Sequence, residues 1–523
     1  MTAAVPLQAI PIADSPYVIV FGSLYLLLVL AIGAWGYMQT ESTSDFLITG
    51  KSIGTWVLAL TAFSVIQSGF GFVGGPELVY SFGTTSLWIF FTAPLGFLVA
   101  WALLAKRMRI LADIRDVLTL PDGMYVRYES QWVRGLTAVA VVVGVIAYLA
   151  TNLAALQYVM RAIFGIPVTW GLLVGALILL LYSMLGGMIA GVWTDFVQAL
   201  TMIVGSVLVF AFALSFGGGM ENISRNLATA DPALISPFGA LGTPEQAVFV
   251  ALGWWILFSI GSAGQPHLIT KFYMSRNLKI LRWGAPIAAC TYAVSSLLAF
   301  STGLSMRAMV EAGEVAAPQN ASVVGPVFVL EYTPGVVAGL ILAALLAAIM
   351  STSDSFLNIG AAAVSRDIPR ALGRPIEDDR TELRVTQVAL AGMTVLSVLV
   401  VAASDTLVGI LGTIGWGFFA AAFFAVAALG LNWKAATKEG AIAAIVGGLA
   451  VNLFYSALPR VADALGMVAL RDAVLGLYPF PESFPVGTVA LLVAIALFVG
   501  VSLLTGARAR NAVPADIAAL IER

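Results

Sequence analysis

Apolar runs long enough to cross a bilayer recur along the whole chain, at about 17–38, 55–81, 86–105, 132–163, 168–187, 190–216, 244–263, 284–305, 325–360, 385–403, 406–431, 439–457 and 484–505. A helical crossing needs about 20 mostly apolar residues, so the pattern predicts thirteen transmembrane helices. Composition excludes a soluble globule: 60% of the 523 residues are hydrophobic and only 10% are charged, against about 25% charged in a soluble domain. The expected fold class is an all-α polytopic membrane protein, with residues 1–523 forming one transmembrane domain in a lipid bilayer. A net charge of −2 and the lack of a basic block argue against a nucleic-acid partner. The single cysteine, Cys290, lies in an apolar segment and rules out a disulfide within the chain.

Lysine and arginine alternate between loops, and the cytoplasmic side of a membrane protein carries their excess. With the N-terminus outside and the C-terminus cytoplasmic, Lys51, the clusters at 106–134, 271–282 and 366–384, Lys434, Lys438, Arg508, Arg510 and Arg523 all fall inside. Only Arg161, Arg225, Arg307, Arg460 and Arg471 fall outside. The expected location is the cell inner (plasma) membrane. The opening MTAAVPLQAIPIADSP lacks the basic region and small-residue cleavage site of a signal peptide, so the first apolar segment is expected to stay as a helix.

Two helices carry glycine clusters and polar groups where a plain span would carry leucine: SVIQSGFGFVGGP at 64–76 and SIGSAGQPH at 259–267. Broken helices are tolerated in a membrane where the freed backbone lines a cavity or meets protein. Close helix packing is the other use of such glycines. Two breaks five helices apart predict an inverted repeat, 55–216 followed by 244–431, with one helix before it, two after it, and a binding site between the breaks.

A third anomaly is AALLAAIMSTSDSFLNIGAAAVSRD at 343–367, where Ser351, Thr352, Ser353, Asp354 and Ser355 interrupt an apolar helix. An ionisable group at bilayer depth costs at least about 2.5–3.5 kcal/mol and marks a functional site by default. Ala348, Ser351, Thr352 and Ser355 share one helical face. Two hydroxyls with carbonyls freed by a broken helix suit a hard monovalent cation. Alternatively, such hydroxyls bond back to carbonyls of their own preceding turn.

Five motifs, in this order and spacing, resemble the sodium:solute symporter family: GKSIG at 50–54, LTLPD at 118–122, GGMIAGVWTDFVQ at 186–198, GQPHLITKF at 264–272 and AAIMST at 347–352. The pattern is nearest to bacterial sodium/proline symporters. The resemblance implies a LeuT-like five-plus-five bundle and a sodium site made of the Ser351 and Thr352 hydroxyls and the carbonyls of Ala348, Ser64 and Gln67. It also suggests a second cation position at Asp195, with Asp354 and Ser355 beside it, although Asp195 could instead cap a helix or pair with an inner-loop arginine. One departure is Ile66, where sodium/proline symporters carry an aspartate important for sodium. Asp354 could replace that charge from the facing helix.

The solute site implied by the resemblance is lined by Gln67, Ser68, Phe70, Tyr148, Phe258, Ser262 and Trp416. Tyr148 agrees with the proline-transporter pattern, whereas Phe258 and Ser262 do not, and Phe258 and Trp416 also suit ordinary core packing. His267, the only histidine, is expected at the inner membrane edge in a packing or gating role. The family resemblance implies a symporter that imports a small organic solute, an amino acid or small carboxylate, with Na+ as its only coupling ion and no cofactor. The sequence has no GxxxxGK[ST] loop and no Cys/His cluster, which speaks against an enzyme or a chemically driven pump. Proton coupling, or a transporter-like sensor acting with a separate partner, are the alternatives.

Overall fold

The computed structural model describes residues 15–39, 53–115, 117–239, 243–404, 406–481, 484–509 and 515–522, without side chains at 36, 37, 39, 185–190, 244, 507–509, 515 and 522. Gly50, Lys51 and Ser52 of the first motif, and Arg510 and Arg523, lie outside the described residues, as do the side chains at 186–190 of the third motif. Among the described residues the regular structure is helical, with one isolated bridge between Ile53 and Ser275.

Eleven helices among the described residues are long and apolar enough to cross a membrane. Two expected pairs of segments are merged in helical backbone. Phe70–Arg115 is one apolar run, but it turns at Gly83, whose φ of 58° only glycine adopts readily. A Cβ there would also stand 2.1 Å from the Leu234 carbonyl oxygen. Val168–Phe216 is likewise continuous over 49 residues, about 74 Å if it were straight. Yet the hydroxyls of Tyr182 and Thr194 lie 2.6 Å apart, where a straight helix would separate the two residues by about 18 Å. The backbone therefore bends sharply between them, and both expected segments are present.

One expected segment is divided. Residues 325–360 do not form a single helix: Val324–Tyr332 stops at Thr333, which is extended at φ −129°, ψ 149°, and Gly335–Ala362 starts afresh after Pro334. Proline forces the preceding residue out of the helical region, which accounts for the break.

Burial sorts the helices into centre and rim. In the most apolar windows, 78% of Gly335–Ala371 and 89% of Val408–Leu429 are buried, against 28% of Pro16–Trp35 and 33% of Lys438–Ala464. The central helices can pack this tightly because they are rich in Gly, Ala and Ser, which let backbones approach. The exposed flanks of the rim helices carry Leu, Val and Ile, as a lipid-facing surface requires.

Both expected broken helices are present, and they break in the same way. Thr55–Ile66 ends at Gln67, extended at φ −77°, ψ 113°, before helix resumes through a wide turn at Phe70–Gly74 and continues as Gly75–Phe82. The other runs from Pro244–Trp255 through Ile256–Ile260 and Gly261–Gly264 to Gln265, extended at φ −82°, ψ 109°, and then Pro266–Tyr273. Pro266 opens the last piece, where a proline lacks no needed N–H.

Two ties hold the opposite ends of these pieces. Buried Glu77 accepts the amides of Val408 and Gly409 at 3.1 Å each and the hydroxyl of Ser322. At the opposite end Ile53 N–H donates to Met274 O at 3.3 Å and Arg276 N–H donates to Ile53 O at 3.0 Å, joining the far ends of the two broken helices.

Candidate functional site

The polar run of Gly335–Ala362 faces the first break. Ser351 Oγ donates to Ser64 O at 2.8 Å and Ala348 O at 3.2 Å. Thr352 Oγ1 donates to Gln67 O at 3.1 Å and Ala348 O at 3.3 Å. The back-bonding foreseen as the alternative therefore occurs, and each hydroxyl also bonds across to the broken helix. The Gln67 carbonyl is available because Gly71 N–H, which regular helix would aim at it, donates to Ser68 O instead. All five oxygens expected around one cation share this cluster, and Ser64, Gln67, Ala348, Ser351 and Thr352 are each at most 2% exposed.

The aromatic residues gather on the other side of the break. Phe70 stacks on Phe258 with centroids 5.5 Å apart and planes 6° from parallel. Trp416 lies 5.4 Å from Phe258 and 6.4 Å from Tyr148, and its indole N–H donates to Leu257 O at 3.1 Å. The hydroxyls of Tyr148 and Ser68 are 3.2 Å apart. Gln67 is buried there with no partner for its Oε1. Ser262 stands aside: its hydroxyl donates to Phe258 O at 2.6 Å, and it packs against Gly96, where a Cβ would come 2.1 Å from Oγ.

The carboxylates form a third group. Asp195 Oδ2 accepts Lys271 Nζ at 2.9 Å, with the two side chains 2% and 1% exposed. Asp354 Oδ2 lies against Gly191, one turn before Asp195, and Asp195 and Lys271 are its electrostatic neighbours. Ser355 is buried beside it. Ile66 is buried too, so the first broken helix brings no carboxylate at that position. His267 sits 1% exposed just past the second break, with its ring 4.5 Å from Phe356 and 6.2 Å from Phe419.

Comparison with known proteins fits this geometry. The profile described as the sodium:solute symporter family matches residues 46–448, most of the chain. The chain belongs to the sodium:solute symporter family. It is a sodium-coupled solute symporter in a membrane, not an enzyme, and Na+ is its coupling ion. Similar family members include sodium/proline symporter 2 of Staphylococcus saprophyticus, 28% identical over 83% of this chain and 84% of that one. The osmoregulated proline transporter OpuE of Bacillus subtilis is 26% identical, covering 84% and 88%, and a sodium/proline symporter of Staphylococcus aureus is 27% identical, covering 90% and 91%. A solved Na+-coupled sialic acid symporter shares the fold, with a TM-score of 0.71 at 19% identity and coverage of 93% and 98%.

The symporter uses further residues that sequence reasoning passed over. Asn152 Oδ1 accepts the Gly69 amide at 3.0 Å, capping the helix that restarts after the first break. Gln265 Nε2 donates to Gly261 O and Trp416 O at 3.3 Å each, so the second break holds the Trp416 helix. Phe356 stands between Tyr148, 4.9 Å away, and His267. A buried amide in the 34-residue apolar helix Gln131–Phe164 was a readable signal for Asn152. Phe356 had none, because nothing separates one core aromatic from another in sequence.

The LTLPD motif has a structural task in the symporter. Thr119 caps the helix Leu120–Tyr128 through the Asp122 amide at 3.1 Å and donates to Asp367 at 2.9 Å. Asp122 then pairs with Arg134 at 3.1 Å and Arg366 at 3.4 Å. Above this cluster a cleft runs between Thr119, Pro121, Pro266, Thr270 and Asn358, one helical turn from Asp354.

Proposed function

We propose that this symporter imports a small amino acid or carboxylate, proline and similar solutes first among them. Sodium binds to Ser64, Gln67, Ala348, Ser351 and Thr352, and the solute binds among Gln67, Ser68, Phe70, Tyr148, Phe258, Ser262 and Trp416. A second cation position lies at Asp195, Asp354 and Ser355. The observation that carries the reading is the convergence of two hydroxyls on three carbonyls at the first break. Those oxygens supply ligands without formal charge, and an arriving ion displaces the two hydroxyl protons from the carbonyls they now occupy. The solute part draws support from the proline relatives and from the buried rings, which can enclose a compact apolar body.

The chain crosses the membrane thirteen times with the N-terminus outside, and 55–216 and 244–431 form the two inverted repeats. The matching extended glutamines, Gln67 and Gln265, support that division. In this orientation the pieces Thr55–Ile66 and Pro266–Tyr273 and the Asp122 cluster face the cytoplasm, and Glu77 faces outward. Sodium supplies adequate driving force: one charge moving through 100 mV yields about 2.3 kcal/mol, or roughly fifty-fold accumulation.

The test is uptake of labelled proline and a panel of amino acids and small carboxylates into proteoliposomes holding the full chain. Uptake driven by a sodium gradient alone is expected. Uptake that follows a pH gradient and ignores sodium would replace this reading with proton coupling.

A further inference from the structure

Lys271 and Asp195 form an ion pair sealed inside the bundle, and Asp354 shares its surroundings. Asp195 lies on the helix Val168–Phe216, Asp354 on Gly335–Ala362, and Lys271 on the last piece of the second broken helix, so three helices bring charged groups to one buried cluster. We propose that the cation at this position is the protein's own: the ammonium of Lys271 takes the place of a second sodium ion, leaving one sodium to bind at Ser351 and Thr352. The inference rests on the sodium site given above and fixes how many ions accompany the solute.

Three observations carry it. First, Lys271 Nζ stands 2.9 Å from Asp195 Oδ2, so a sodium ion coordinated by that oxygen would have to enter the space the ammonium fills. Second, both side chains are closed to solvent at 1% and 2% exposure, and a lysine is desolvated this completely only when a partner balances its charge. Third, Asp354 is three residues from Ser351, about 4.5 Å along the helix axis. Asp354, which has Lys271 among its electrostatic neighbours, therefore links this charged cluster to the turn that carries Ser351, where a second free cation would have to be held against the repulsion of the first. Being covalently fixed to the second broken helix, the Lys271 charge stays with the protein through the cycle and adds nothing to the ion count.

The number of sodium ions bound tests the proposal directly. Purified full-length protein is titrated with radioactive 22Na+ and the bound ions are counted at saturation. Wild type is expected to bind one. Lys271→Gln vacates the position and is expected to bind two, with the Hill coefficient for sodium in transport rising from near one towards two. Lys271→Arg keeps a fixed cation and keeps the count at one, and Asp195→Asn also leaves it at one. A wild-type count of two overturns the proposal, as does a count lowered by Asp195→Asn or a folded Lys271→Gln protein that still binds one. The wild-type count and Asp195→Asn decide the matter even where Lys271→Gln does not fold. A wild-type count of zero is a different result: it removes the sodium site itself.

Discussion

Ser351 and Thr352 each hold one hydroxyl proton between two carbonyls, and that shared geometry makes them replaceable by an ion. Removing either hydroxyl deletes a ligand without opening a large cavity. Thr352→Ala is expected to raise the sodium concentration for half-maximal uptake about tenfold, equivalent to ~1.4 kcal/mol, whereas Thr352→Ser keeps the oxygen and stays near wild type. Uptake measured against sodium concentration checks both, and unchanged sodium dependence in Thr352→Ala would remove the residue from the site. Asn152 presents a different case, because its partner is a buried backbone amide with no alternative acceptor. Asn152→Ala is expected to destabilise the protein by about 1–3 kcal/mol, seen as a lower unfolding midpoint in a thermal melt. The hydroxyl pair was legible in the sequence because polar groups in hydrocarbon are costly and therefore conspicuous. Lys271 was visible as a residue but not as a partner of Asp195, since 76 residues separate them in the chain and only the folded bundle brings them together.

At the level of elements, the symporter is organised by its two interruptions, both of which were marked in the sequence by glycine clusters and polar groups, while the extended glutamine at each became visible only in the fold. What the sequence did not reveal is how the pieces are tied at their ends. Glu77 takes two amides of the helix Val408–Phe423 and the Ser322 hydroxyl, so its carboxylate serves as the N-terminal anchor of a helix whose chain position lies more than 300 residues away. Glu77→Ala strands two buried N–H groups and is expected to lower stability by about 2–6 kcal/mol, with Glu77→Gln intermediate because one acceptor oxygen remains. Thermal unfolding of the purified variants orders them, and equal midpoints for Glu77→Ala and wild type would refute the anchor. The helix boundary at Thr333 had a signal in the sequence, since Glu331, Thr333 and Pro334 interrupt the apolar run, but hydropathy averaged over a long window conceals so short a stop.

For the whole molecule, the alternation of lysine and arginine predicts an orientation with the N-terminus outside. With Cys290 exchanged for serine, single cysteines at Arg374 and Arg471 are expected to react differently with a membrane-impermeant maleimide added to intact cells: Arg471→Cys labels and Arg374→Cys does not. The reverse pattern would invert the topology. Fold class was readable at this scale because bilayer thickness dictates segment length, and the bend between Tyr182 and Thr194 falls where the expected segments 168–187 and 190–216 meet. The backbone tie between Ile53 and the Met274–Arg276 stretch carries one more consequence. The amide hydrogens of Ile53 and Arg276 are held by the opposite strand of that tie and can trade for deuterium only while it is parted. Their exchange rates are a built-in counter of how often the two half-helices separate, readable by mass spectrometry with no label and no change to the sequence.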